Sequence, residues 1–279
     1  MPTLQGPRYS HSLELGLMVL AGFRPGEELR GVAEIAQELG FSRSTTFRYM
    51  ATLREIGYLE HGAGRKYRLA SHAANVGLNA LNSTGLRQPA RPLLEQLRLD
   101  TGGLPVGLGV LDGTRMVYVE HLPSATRGHI NLEQPQGPGT RLPAQTTALG
   151  KSILAQLTPD HLAALLQLIY PPTPPSRVQR TNTRRPSAAR LREALESELT
   201  QIRRRGVALQ DPGGPDGGLA AIAACVPTPL HLLALDITAP AGTSASQLSQ
   251  AHATTLMAAA QRLTATLAEL PLEPFRRRA

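Results

Sequence analysis

The chain has no tryptophan, a single cysteine and few aromatic residues, 4% of 279. A lone Cys225 excludes an internal disulfide and a cysteine-built zinc site, and it fits a reducing compartment. Scarce aromatics argue against a surface that stacks single-stranded bases. Lysine is nearly missing too: Lys66 and Lys151 stand alone among 29 basic residues, so arginine carries the positive charge. No apolar run reaches the length of a membrane span. Leu13 to Phe23 comes nearest to a signal-peptide core, yet no Lys or Arg cluster closely precedes it and no small-residue cleavage site follows. It reads instead as a first helix with Leu13, Leu17 and Leu20 on its packed side.

Catalytic and cofactor motifs are also lacking. Gly150-Lys151-Ser152 resembles the end of a phosphate loop, but Gln145 stands where that loop needs glycine. Gly107-Leu108-Gly109 opens a dinucleotide fingerprint whose third glycine is replaced by Asp112. No Gly-x-Ser-x-Gly occurs. The histidines (His11, His61, His72, His121, His129, His161, His231, His252) never pair at zinc-ligand spacing, so no metal is expected. Glu120 and His121 point to opposite faces if their segment is a strand. Cys225, in the apolar run Ala223-Ala224-Cys225, is expected to be a buried, inert thiol. No enzyme and no cofactor are implied.

What is present is a basic segment. From Ser42 to Ala70 six Arg or Lys stand against two acids, Glu55 and Glu60, whereas the first 41 residues are not basic. The net charge of +8 therefore has a location, one that suits a polyanionic partner. Val32 to Leu39 carries apolar residues at helical spacing. Gly40 suits the left-handed residue that ends a helix, and Ser42 can cap the next one. In that second helix Phe47, Met50, Leu53 and Ile56 are predicted to form the buried stripe. Arg43, Ser44, Thr45, Arg48, Tyr49 and Thr52 then fall on the opposite face. Tyr58 to Leu69 reads as a β-hairpin whose glycine-rich tip leads into Arg65, Lys66 and Arg68. Two short helices joined at a glycine occur in many helical proteins; the basic hairpin behind them makes this segment a winged helix-turn-helix. Its candidate DNA contacts are Ser42, the six residues of the exposed face, and Arg65, Lys66 and Arg68 of the wing.

Beyond it, His72 to Thr84 reads as a linker helix. Leu86 to Thr101 reads as a helix with Leu93, Leu94 and Leu97 inward, irregular at first because of Pro89 and Pro92. Leu104 to Leu111 and Arg115 to Leu122 flank Asp112-Gly113, a strong hairpin signal. Ile130 to Leu132, Val207 to Gln210, Leu219 to Val226 and Leu230 to Thr238 read as further strands. Thr147 to Leu157, Asp160 to Ile169, Ser187 to Arg205 and Ala251 to Leu270 read as helices. Pro171 to Pro186 is a loop rich in proline and arginine, and Arg276-Arg277-Arg278 a basic tail. The mixture lacks a strict βαβ rhythm, which predicts α+β with an antiparallel sheet flanked by helices. The expected domains are 1–71 for DNA binding, 72–85 as linker helix and 86–279 for effector binding and oligomerisation.

These residues resemble the IclR-type bacterial transcriptional regulators over almost the whole chain. The most specific stretch is Gly139-Thr140-Arg141-Leu142-Pro143-Ala144-Gln145-Thr146-Thr147-Ala148-Leu149-Gly150-Lys151. Lys66-Tyr67-Arg68-Leu69, Val110-Leu111-Asp112-Gly113, Val117-Tyr118-Val119-Glu120 and Arg203 to Leu209 agree with it. The resemblance implies a cytoplasmic one-component regulator with a GAF-like effector domain. It also implies a homodimer or tetramer on a palindromic double-stranded operator, answering to a small metabolite, often an organic acid or an aromatic compound. The effector residues it implies are Arg141, Gln145, Ala148, Leu149, Gln210, Ala221, Asp236 and Thr238.

Here the chain departs from the family pattern. Carboxylate-binding members place Asp, Cys and Ser around the effector. Gln210 stands where that Asp is usual, Ala221 where the Cys is, and Asp236 and Thr238 where two serines are common. Gln145 replaces a frequent His. An added acid would repel a carboxylate unless protonated or paired. A neutral or cationic effector, or an anion held nearer Arg141, is the resulting expectation, set against Asp236 being merely paired at a strand end. Two other functions fit the sequence less well: an enzyme fused to a DNA-binding module, for which the chain lacks a recognisable set of titratable groups, and a nucleoid or RNA-binding protein using Arg184-Arg185, Arg203 to Arg205 and Arg276 to Arg278, which are scattered and without interleaved aromatics.

Overall fold

A computed structural model describes residues 9–23, 27–83, 85–125, 137–171, 187–213, 219–228, 232–239 and 242–270. The strand expected at Ile130 to Leu132, nearly all of the Pro171 to Pro186 loop and the Arg276 to Arg278 tail lie outside the described residues. The chain divides into two compact units, one reaching Ala80 and the other beginning at Leu81.

In the first unit Ser10 caps helix α1 (His11–Ala21), accepting from the Leu13 amide. Helix α2 (Val32–Leu39) ends at Gly40, whose φ of 70° is the left-handed stop foreseen from sequence. Ser42 then caps α3 (Arg43–Glu55): its Oγ accepts from the Thr45 amide at 3.0 Å. Strands β1 (Leu59–His61) and β2 (Tyr67–Leu69) pair antiparallel around a 3₁₀ turn at Ala63–Arg65. Val19, Phe23, Ile35, Met50, Leu53, Leu59 and Tyr67 form the core. Two expectations need correction. The inward stripe of α3 is Thr46, Met50 and Leu53, while Phe47 and Ile56 are exposed. A strict three-residue repeat slips about 60° per step on a 3.6-residue helix, so alternating steps of four and three hold one face. In α1, Val19 is the buried residue, whereas Leu13 and Leu17 are exposed and Leu20 is half-buried. Arg30 is a buried cation: its guanidinium donates to the Gly22 carbonyl and to Glu38, both at 2.6 Å.

Helix α4 (Ser71–Asn82) buries no residue. In the second unit, α5 (Arg87–Asp100) is regular from its first turn. Pro89 removes only an amide that has no partner within the helix, and Pro92 lies inside it. Strands β3 (Val106–Asp112) and β4 (Arg115–Leu122) form the foreseen hairpin. A short β5 (Arg141–Pro143), not expected from sequence, pairs with β4. Helices α6 (Ala148–Leu154), α7 (Pro159–Ile169) and α8 (Ala188–Arg205) follow, then strands β6 (Ala208–Gln210), β7 (Ala221–Pro227) and β8 (Leu232–Thr238). Helix α9 (Ala245–Ala268) starts six residues before its expected place, because Ser244 and Gln247 form a capping box ahead of the apolar repeat. The sheet runs β5-β4-β3-β8-β7-β6, antiparallel throughout. The chain is α+β.

The two faces of this sheet are dressed differently. One presents Val106, Leu108, Val110, Val119, Ile222, Val226, Leu233, Leu235 and Ile237 to α5 and α9. The other presents small and polar residues, among them Gly107, Gly109, Ala221, Ala223, Ala234 and Asp236, and α6 comes in close above them. A Cβ on Gly150 of α6 would stand 2.2 Å from the Ala144 carbonyl oxygen, so only glycine permits that approach.

Candidate functional site

The first candidate surface is the outward side of α3. Ser42, Arg43, Ser44, Arg48 and Thr52 are exposed there, and Thr45 is half-buried with its hydroxyl tied to Ser42. Tyr49 is not on this surface: it packs partly into the core against α1, with the Arg48 guanidinium 5.7 Å above its ring. Phe47 takes its place, 56% exposed between Ser44, Arg48 and Ala51. In the wing, Arg65 is exposed at a φ of 59°. Lys66 pairs with Glu34 at 2.8 Å and Arg68 with Glu60 at 2.6 Å. Both pairs are half-exposed and screened by water, so a phosphate can displace the carboxylates at little cost.

The second candidate is a small cavity on the glycine- and alanine-rich face of the sheet. Tyr118, Leu142, Thr147, Leu149, Gln210, Leu219, Ala221, Asp236 and Thr238 line it. It leaves about 20 Å³ for the centres of water-sized molecules, on the order of one or two waters. Asp236, on β8, is buried, and its Oδ2 accepts from Tyr118 Oη at 2.5 Å. Its Oδ1 is buried with no hydrogen-bond partner, close to where a Cβ on Gly107 would stand. Burial pushes the carboxyl up to about 6, against the opposing pull of Tyr118 and of the nearby Gly107 amide. That amide favours the charge without the geometry of a hydrogen bond to Oδ1. Burial, and then the charge of Asp236, holds the Tyr118 phenol well above its ordinary range, so it stays a donor.

The rim is built from hydrogen bonds already made. Gln210 accepts from the Ala148 amide at 3.0 Å and donates to the Leu219 carbonyl at 3.1 Å, bridging β6 to the start of α6. Thr147 accepts from the Gly150 amide and donates to the Pro143 carbonyl. The N-terminal amides of Ala148 and Gly150 are therefore taken by side chains. His121 packs edge-on against Tyr118, and burial lowers its pKa, which favours the neutral ring. Glu120 leaves by the other face of β4, where it meets Arg87 at 3.0 Å; a bulge opposite Leu108 and Gly109 separates its face from that of Tyr118 two residues earlier. Cys225 is half-buried where full burial is expected from sequence, and burial raises its thiol to about 12.

Five of the eight effector residues foreseen from sequence line this cavity: Leu149, Gln210, Ala221, Asp236 and Thr238. Ala148 adjoins it through Gln210. Arg141 does not reach it, since its exposed side chain pairs with Asp112. Gln145 is also absent from the lining, although its Oε1 is buried without a partner. Sequence reasoning missed Tyr118, Leu142, Thr147 and Leu219. Tyr118 was within reach, because strand alternation sets it opposite Val117 and Val119 on the face of Asp236.

Family models match on both sides of the chain: the IclR helix-turn-helix domain over residues 12–62 and the C-terminal domain of bacterial IclR transcriptional regulators over residues 78–265. The HTH-type transcriptional regulator XynR of Escherichia coli is 31% identical over 218 residues, 78% of each chain. KdgR of the same organism is 29% identical over 200 residues, 71% of this chain and 70% of that one. Among solved structures, an IclR family regulator from Brucella abortus matches with a TM-score of 0.67 at 23% identity, covering 92% of this chain and 93% of that one. An IclR homolog from Microbacterium hydrocarbonoxydans, complexed with 4-hydroxybenzoate, has the same fold, with a TM-score of 0.67 at 22% identity and 92% and 98% coverage. Among the described residues no helix is long and apolar enough to cross a membrane. An exposed basic helix within a helix-turn-helix, an enclosed cavity in the second unit and these two matches lead to one conclusion: the chain belongs to the IclR family of bacterial transcriptional regulators.

Proposed function

We propose that this regulator binds a palindromic operator as a dimer or tetramer in the bacterial cytoplasm, and that a small metabolite in the cavity sets its affinity for that operator. This reading is supported by two features in separate compact units, an exposed arginine-bearing helix in one and a polar cavity in the other. Residues 1–71 supply the DNA contacts, 72–85 the connection and 86–279 the effector site and the contacts between copies. Two copies of α3 enter successive major grooves about 34 Å apart, with the wings on the flanking backbone. Arg43 and Arg48 meet phosphate or guanine. Phe47 offers its ring to a thymine methyl group. A ligand that binds one arrangement of the copies better than the other shifts operator affinity by that difference and by no other means. Binding alone accounts for the activity, with no reaction catalysed.

The test is selection of duplexes from random-sequence DNA by the purified protein, followed by affinity measurement at fixed salt. The selected sites are expected to be palindromic with half-sites one helical turn apart. Arg48→Ala should weaken binding by about 1–3 kcal/mol if Arg48 reads a base. Equal affinity for selected and random duplexes, or no loss in Arg48→Ala, would reject α3 as the reader.

A further inference from the structure

Among the described residues, Asp236 is the only charged side chain lining the cavity, and half of its carboxylate is unused. Tyr118 serves Oδ2, while Oδ1 is buried and without a partner. An acceptor stripped of water and left unpaired is costly, and a donor arriving there recovers that cost. Among the described residues, no arginine or lysine lines the cavity to hold an anion. Arg141 is turned out to Asp112, Lys151 is bound to Glu198 at 2.9 Å, and the amides of Ala148 and Gly150 are already capped. A bare carboxylate would set a second negative charge beside Asp236 in a nearly dry enclosure, where like charges repel far more strongly than in water.

Resting on the reading of this cavity as the control site, we propose that it takes a small ligand that donates a hydrogen bond from an amide, amine or hydroxyl group to Asp236 Oδ1, and discriminates against ligands that offer only a carboxylate. Leu142 and Leu219 line the cavity beside these polar groups, and at the present volume they must shift to admit anything larger than a few heavy atoms. Small ligands are therefore favoured. Tyr118 donates to Asp236 and so fixes the carboxylate plane, which leaves Oδ1 as the position that reads the ligand.

The experiment uses size-matched probes on the full chain: propionamide and propionate, then benzamide, benzylamine and benzoate. Because the chain has no tryptophan, Leu142→Trp supplies a single emitter at the cavity, and thermal shifts of the unlabelled protein give an independent readout. The amide or amine member of a set is expected to bind at least tenfold more tightly than its carboxylate. Asp236→Asn should weaken the amine at least tenfold, since the charge is lost and Tyr118 claims the one carbonyl oxygen that remains. Carboxylates binding as tightly as their amides, or no binding by any donor probe, would overturn the proposal. Benzoate binding that quenches Leu142→Trp and is lost in Ala221→Met would keep the cavity as the control site while rejecting this ligand chemistry. Binding that alters operator affinity yet is untouched by Ala221→Met would reject the cavity itself. Should Ala221→Met fail to fold, the Leu142→Trp signal separates the same two results.

Discussion

The reading helix and the cavity are opposites in construction. Helix α3 is exposed, positively charged, and built from one contiguous stretch whose contacts lie within a few turns of each other. The cavity is enclosed, carries one negative group among the described residues, and gathers residues from Tyr118 to Thr238 across strands and loops far apart in the chain. A DNA-binding surface meets a large, fully hydrated polyanion, so it needs charge and access more than enclosure. A cavity for a small molecule gains its discrimination from polar groups that water cannot reach.

Substitutions can break that contrast, and the greatest effect is expected where backbone meets backbone. Gly150→Ala forces a methyl group within 2.2–2.6 Å of the Ala144 backbone. The roughly 1 kcal/mol that alanine gains in a helix is outweighed, for a net loss of about 3 kcal/mol or more. Denaturant titration of the second unit measures it, and unchanged stability would mean that α6 does not rest on this contact.

Asp236→Asn is expected to act in the opposite direction. Its folded-state pKa is raised from 3.8 to about 6, so the native chain holds the proton more firmly than the unfolded one. The stability this provides is complete below the unfolded value and is lost as pH rises through 6. Removing the charge should therefore stabilise by about 2–3 kcal/mol at pH 7.5, shrinking to about 1 kcal/mol near pH 4.5. A pH-independent difference in urea denaturation would show that burial of the charge is not what costs stability there. A third substitution sharpens the DNA side. Replacing thymine by uracil within a selected half-site deletes one methyl group, worth about 0.5–1 kcal/mol if Phe47 covers it. The loss should vanish in Phe47→Ala, a double-mutant cycle read by binding at fixed salt. No uracil position with such coupling would leave Phe47 an idle exposed ring.

Legibility followed the same division. Gly40, Ser42 and the basic wing are local signals, because a left-handed stop, a side-chain cap and a turn are decided within four residues. The stripe of α3 was misread by treating Phe47 and Ile56 as inward; both are apolar, and only the packing of α1 and α2 shows which side is covered. Tyr49 went the other way for the same reason. In the second unit the strands and the helix ends at Ser187 and Gly206 were legible, but β5 is three residues long and exists only because β4 offers it an edge. Arg141 and Asp236 looked equivalent as candidates. One is turned outward to Asp112 and the other is buried against Tyr118.

The sequence by itself determined the helix-turn-helix, the basic wing and the α+β order, because those depend on backbone preference and on periodicity over short spans. Only the tertiary structure decided that Asp236 keeps one oxygen without a partner, that Arg141 is no part of the cavity, and that Phe47 faces outward. Each of these depends on which distant segment lies opposite, and spacing along the chain carries no record of that.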